Sequence, residues 1–168
     1  MISSISAMSL ILTMNWNLPS SMEQFTPISS DDPIQAVIKQ AFDMDLKVEG
    51  GWGYHQNDAI ILHTHSLSSK QLQHTLASMR THLEMSMTQT AEHRYGGINV
   101  SELHRETYTD LEKVTYHVTA ILESDYADFI NAYKEGYGTE TFDIEAHFHA
   151  RKEATLKREI TIWYRVKR

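Results

Sequence analysis

The sequence predicts an α+β fold: a single domain in which a mainly antiparallel sheet of about four strands packs with three to four amphipathic helices. Three observations predict it. Leu72, Leu76, Met79, Leu83 and Met87 recur at helical spacing in residues 68–87. Val114, Tyr116, Val118, Ala120 and Leu122 alternate with Thr115, His117, Thr119 and Ile121, the period of a strand with one face in a core. Ile160, Ile162, Tyr164 and Val166 repeat that alternation near the end of the chain.

Length and composition agree with this class. A chain of 168 residues with 41% hydrophobic and 22% charged residues is an ordinary globular domain. Residues 1–30 differ from the rest: they contain no Lys or Arg and hold two of the three prolines. They read as a flexible leader, with Met22 as an alternative natural start. The apolar run at residues 5–14 lacks the basic residues and small-residue cleavage site of a signal peptide, and ten residues are too few to span a bilayer. The domain is expected over residues 31–168.

The elements follow in order. Asp31-Asp32-Pro33 is a helix start, because Asp caps and Pro suits the first turn. Ile34, Val37, Ile38, Ala41 and Phe42 then mark one helical face. Leu46 and Val48 suit a short strand. Gly50-Gly51-Trp52-Gly53-Tyr54 is a loop able to approach a backbone or a ligand closely. It has neither the phosphate-loop ending nor the dinucleotide glycine spacing. Residues 59–62 form a short buried strand. In residues 68–87, Ser68 and Gln71 make a capping box, and Gln73, His74, Ser78, Arg80 and Glu84 fall opposite the apolar stripe.

Tyr95-Gly96-Gly97 reads as a turn. Residues 100–108 form a strand that pairs, across Thr109-Asp110, with residues 113–123. Ser124 is a cap for a helix with the stripe Tyr126, Phe129, Ile130 and Tyr133, ended by Gly136. Residues 141–154 satisfy two rules at once. Phe142, Ile144, Ala146, Phe148 and Ala150 alternate as in a strand, while the Ala, Glu, Lys and Arg content toward Ala154 favours a helix, the preferred reading.

The absence of cysteine removes disulfides, thiolate nucleophiles and Cys-ligated metals. With no recognisable signal, it sets the expectation of a cytoplasmic protein. The net charge of −7 argues against non-specific nucleic-acid binding, and no stretch reaches membrane-spanning length.

Two functions compete. The first is a non-catalytic interaction or small-ligand-binding protein, recognising an unknown protein or small molecule through Gly51, Trp52, Gly53 and Tyr54. The second is a metal-dependent, hydrolase-like enzyme. His63 and His65 share a strand face and could hold a divalent transition metal. His147 and His149 would complete the site if residues 141–150 were a strand. On a helix those two imidazoles stand about 200° apart and cannot share an ion. No metalloprotease, nucleophile-elbow or comparable catalytic signature is present.

Overall fold

Two long neighbouring strands form the centre of the sheet. The computed structural model describes residues 27–29, 31–63 and 69–167; most of the expected leader, together with His65 and Ser68, lies outside them. Strand β4 (Leu111–Leu122) runs antiparallel to β5 (Leu156–Lys167), from Leu111 opposite Arg165 to Ala120 opposite Leu156. Strand β3 (Tyr95–Thr107) adds to the free side of β4. On the far side of β5 lie β2 (Ile60–His63), parallel to it, and β1 (Val48–Gly50), antiparallel to β2. The order is β1-β2-β5-β4-β3. The sheet is mainly antiparallel, as expected, with one parallel junction, and has five strands among the described residues where about four were expected.

The alternation read from β4 and β5 is what builds the core. Val114, Tyr116, Val118 and Ala120 are buried, as are Ile160, Ile162 and Tyr164. Leu122, expected to join them, sits at the strand end and is only partly buried, whereas Ile121 on the other face is covered, with Gly97 lying against it.

Helix α1 (Ile34–Phe42) buries Ile34 and Ile38 against this core. Its start differs from expectation: Pro33 occupies the cap position, no side chain caps it, and the Pro33 carbonyl accepts from the Ala36 and Val37 amides. Helix α2 (Ser69–His82) continues into one π-helical turn, Leu83–Met87. The Thr88 amide bonds back to the Leu83 carbonyl, five residues earlier, at 3.0 Å. The wider turn shifts the helical phase. Met85 is therefore buried and Met87, expected on the stripe, is exposed.

Tyr95-Gly96-Gly97 is strand rather than turn. The β3–β4 register shifts between Gly96 and Asn99, and Gly97 has φ +57°, so the glycines form a bulge inside the strand. Helix α3 (Glu123–Gly136) follows β4 directly, and Ser124 does not cap it. Helix α4 (Ile144–Ala154) resolves the ambiguous segment as helix: Asp143 Oδ1 accepts from the Ala146 amide at 2.9 Å, a cap that starts it. The α3–α4 hairpin is inserted between two adjacent strands of the sheet. No helix among the described residues is long and apolar enough to cross a membrane.

The loop after β1 is held tightly to β5. The Trp163 amide donates to the Gly53 carbonyl at 2.9 Å, and Gly53 has φ +71°. A Cβ there would lie 2.6 Å from the Trp163 carbonyl oxygen. Gly53→Ala is therefore expected to cost more than about 1–2 kcal/mol, the strain of left-handed backbone alone. Gly138→Ala, at φ +84° but with open space around it, is the control and loses only that strain. Equal losses of stability in urea for the two variants would contradict this account of the loop.

Candidate functional site

The glycine- and aromatic-rich loop is built into the interior. Trp52 is 2% exposed and belongs to the hydrophobic core. A Cβ on Gly51 would meet Asp58, whose carboxylate accepts from the Tyr54 and His55 amides. A ligand reaches the Trp52 ring only by displacing it. Tyr54 is partly buried, and its hydroxyl accepts from the Ile28 amide at 2.9 Å and donates to Glu84 Oε1. The packed chain therefore reaches back at least to Ile28.

Behind the loop lies a polar stripe of α2 that the sequence reading placed on the outer side. Gln73, Arg80 and Glu84 are all buried. With Ala77 they stand at i, i+4, i+7 and i+11, a second straight stripe beside the apolar one. Arg80 Nε donates to Glu84 Oε1 at 2.8 Å. Its Nη1 donates to the Trp52 carbonyl at 3.1 Å and the Thr161 carbonyl at 3.3 Å. The guanidinium carbon stands 3.8 Å from the Tyr54 ring centroid, a cation–π contact. Burial opposes the Arg80 charge, but the Glu84 carboxylate together with Tyr54 and Tyr164 outweighs it and holds the guanidinium above its ordinary pKa. Burial, reinforced by Glu84, raises the Tyr54 phenol. Glu84 Oε2 and Trp52 Nε1 are buried with no hydrogen-bond partner among the described residues.

A second network joins α2 to the sheet. Tyr164 donates to the Gln73 carbonyl at 2.9 Å and its hydroxyl meets that of Tyr116 at 3.2 Å. The Gln73 side chain bridges Glu112 and Arg105, and Arg105 also pairs with Glu102. Both networks join elements to one another.

His63, His147 and His149 share no three-ligand cluster among the described residues, and His65 lies outside them. His63 Nε2 lies 3.2 Å from Glu49 Oε1, while Lys167 holds the other oxygen of the same carboxylate at 3.2 Å. A dication placed there would face that ammonium. His147 and His149 stand on α4, two residues apart on a helix. The His147 ring lies among Phe129, Tyr133, Phe142 and Phe148, at centroid distances of 5.3 to 5.7 Å. Among the described residues no group of three His, Asp or Glu side chains could hold a metal ion.

The aromatic cluster around His147 is the structure's other concentration of chemistry. Neither α3, with 14 residues, nor α4, with 11, has a single buried residue. The two helices share a small aromatic core centred on Tyr133, which stacks on Tyr137 at 5.0 Å and meets Phe142 and Phe148 at 6.0 and 6.2 Å. Its outer members remain in solvent, Tyr137 63% exposed and Phe148 49%, and Ile144, one turn before Phe148 on α4, is 40% exposed. The other exposed large apolar side chains, Met44, Met87, Leu103 and Tyr108, belong to separate segments. The sequence signal for this patch was present: the apolar residues of 141–154, read as a helix, do not form one inward face.

No known protein family, curated protein or solved structure matches the chain.

Two outcomes test the structural reading of the polar interior. Arg80→Met leaves the Glu84 carboxylate buried and unpaired, and is expected to cost about 3–5 kcal/mol in denaturant unfolding. Arg80→Met/Glu84→Leu removes both charges and is expected to recover much of that loss; a double variant no more stable than the single one would contradict the pairing. Burial pushes Tyr116 up to about 12 from the ordinary phenol value of 10.0, and raises Tyr164 as well. Their folded pKa values lie above the unfolded ones, so the stability they contribute is complete below pH 10 and lost as pH rises toward 12. The melting temperature is expected to fall across that window, with tyrosinate absorbance rising together with loss of far-UV dichroism. Full tyrosine ionisation with the fold intact would contradict it.

Proposed function

We propose that this chain is a non-catalytic interaction protein that engages a protein partner through the α3–α4 hairpin. One observation carries the reading: the 25 residues of α3 and α4 include no buried one, and the hairpin exposes Ile144 and Phe148 on α4 together with Tyr137 just after α3, outside the main core. A contiguous exposed apolar patch on a folded domain is costly in water and marks a surface that a partner covers. Tyrosine and phenylalanine are suited to this role, since each presents a large area with few rotatable bonds.

The chemistry of the rest of the molecule supports the same reading. Its charged interior joins loop, helix and sheet rather than opening toward solvent. The Gly51–Tyr54 segment, the other surface considered for recognition, has Trp52 and much of Tyr54 committed to packing. The hairpin is held to the sheet mainly through its base, so its outer rings are free to meet a second protein.

The reading is tested with a photoreactive amino acid placed at position 148 of the full chain in extract of the source cell. A discrete protein adduct is expected there, lost when Tyr137→Ser is added, and absent when the same probe replaces Met44, which is exposed on another segment. No adduct at 148, or the same adducts from both positions, would overturn it.

A further inference from the structure

The charge around the hairpin narrows the partner. Residues 123–155 carry eight Asp and Glu against three Lys and Arg, a net −5 within a chain of −7. The imbalance is concentrated at the free end. Glu135, Glu140, Asp143 and Glu145 surround the exposed rings in sequence, with Lys134 as the one cation between Tyr133 and Phe148. Glu135, Glu140 and Glu145 are exposed and make no ion pair among the described residues. The other two cations of the insert, Arg151 and Lys152, stand in the last turn of α4 near the sheet, where Arg151 lies 5.4 Å from the Tyr126 ring centroid.

Resting on the reading of the hairpin as a docking arm, we infer that its occupant is a basic amphipathic segment of another protein. An apolar stripe covers Tyr137, Ile144 and Phe148, and flanking Lys or Arg side chains meet Glu135, Glu140 and Glu145. Such an arrangement draws specificity and association rate from the charges and affinity from the rings. A second copy of this chain fits poorly, because joining two hairpins by the same face sets like carboxylates against each other. Residues 1–26 fit poorly too: they supply apolar side chains but neither Lys nor Arg.

The test uses two fluorescent 18-residue helical peptides with identical leucine stripes, one flanked by lysine and the other by glutamate, titrated against the full chain. The Leu/Lys peptide is expected to bind, more weakly as salt rises, and the Leu/Glu peptide to bind at least ~10-fold more weakly. Tyr137→Ser/Phe148→Ser, which keeps every charge, and Glu135→Gln/Glu140→Gln/Glu145→Gln, which keeps every ring, are each expected to weaken Leu/Lys binding about 10-fold or more. Far-UV dichroism and thermal melts establish that both variants fold.

Several results overturn the inference. Leu/Lys binding untouched by Tyr137→Ser/Phe148→Ser is charge attraction to the surface at large. Equal binding of both peptides, with the same dependence on the rings, leaves a docking arm whose partner is not basic. Concentration-dependent association of the chain alone, abolished by Tyr137→Ser/Phe148→Ser, makes the occupant a second copy. An intramolecular adduct from position 148 to residues 1–26 makes it the chain's own leader. Of these last three, the first two keep the hairpin as a protein-docking surface and reject only the basic partner; an intramolecular adduct, or no adduct of any kind at 148, rejects the docking arm itself.

Discussion

Arg80 is the residue on which the arrangement of loop, helix and sheet depends. β5 is 12 residues long, but β2 pairs only with its last part, from Tyr164 to Lys167. The next stretch of that edge of β5 has backbone groups that a neighbouring strand would otherwise satisfy, and buried backbone groups left unpaired are costly. Gly53 takes the Trp163 amide, and the Arg80 guanidinium takes the carbonyls of Thr161 and Trp52. A charged side chain thus completes a sheet edge. Glu84 balances the charge one turn along the same helix, and Tyr54 closes over it from the loop. Buried ion pairs are seldom net sources of stability. This one sets where α2 lies on the sheet and where the loop must run, a role in specifying geometry.

The molecule consequently has two parts with different physical character. The sheet, α1 and α2 enclose one continuous hydrophobic core, and their buried polar groups tie those elements together. The α3–α4 hairpin leaves the sheet between β4 and β5, forms its own small aromatic cluster and keeps much of its apolar surface in water. A core built around fixed polar contacts tolerates little movement, whereas a hairpin with few buried contacts opens at low free energy. Recognition placed on the hairpin therefore leaves the interior of the core undisturbed.

Most of the architecture was legible in the sequence because period-2 and period-3.6 patterns report burial on one face. That information was sufficient for α1, α2, β4 and β5. It was insufficient wherever burial and polarity part company. Arg80 and Glu84 are charged and were read as solvent-facing, although Gln73, Ala77, Arg80 and Glu84 lie on one straight stripe that a search for i, i+4, i+7, i+11 spacing would have found. The π-helical turn changed the phase of the stripe after Leu83, which no periodicity rule anticipates. In residues 141–154 alternation competed with composition, and Asp143 as a cap was the missing discriminator. The loop around Trp52 was legible as a close backbone approach, but its glycines meet β5 and Asp58, and a sequence alone does not identify which backbone is approached. The hairpin surface was legible only in part: the apolar residues of 141–154 form no single inward face on a helix, but the rings themselves look like core residues until the fold leaves them uncovered.

Hydrogen exchange across the whole chain, resolved by residue, addresses the division into core and hairpin most directly. The account predicts that amides of α2, β4 and β5 share the highest protection, set by global unfolding, while those of α3 and α4 exchange through a separate opening of markedly lower free energy. Hairpin amides as slow as those of β4 and β5 would show that the two helices belong to the core, and that their exposed rings are not a surface held out for another protein.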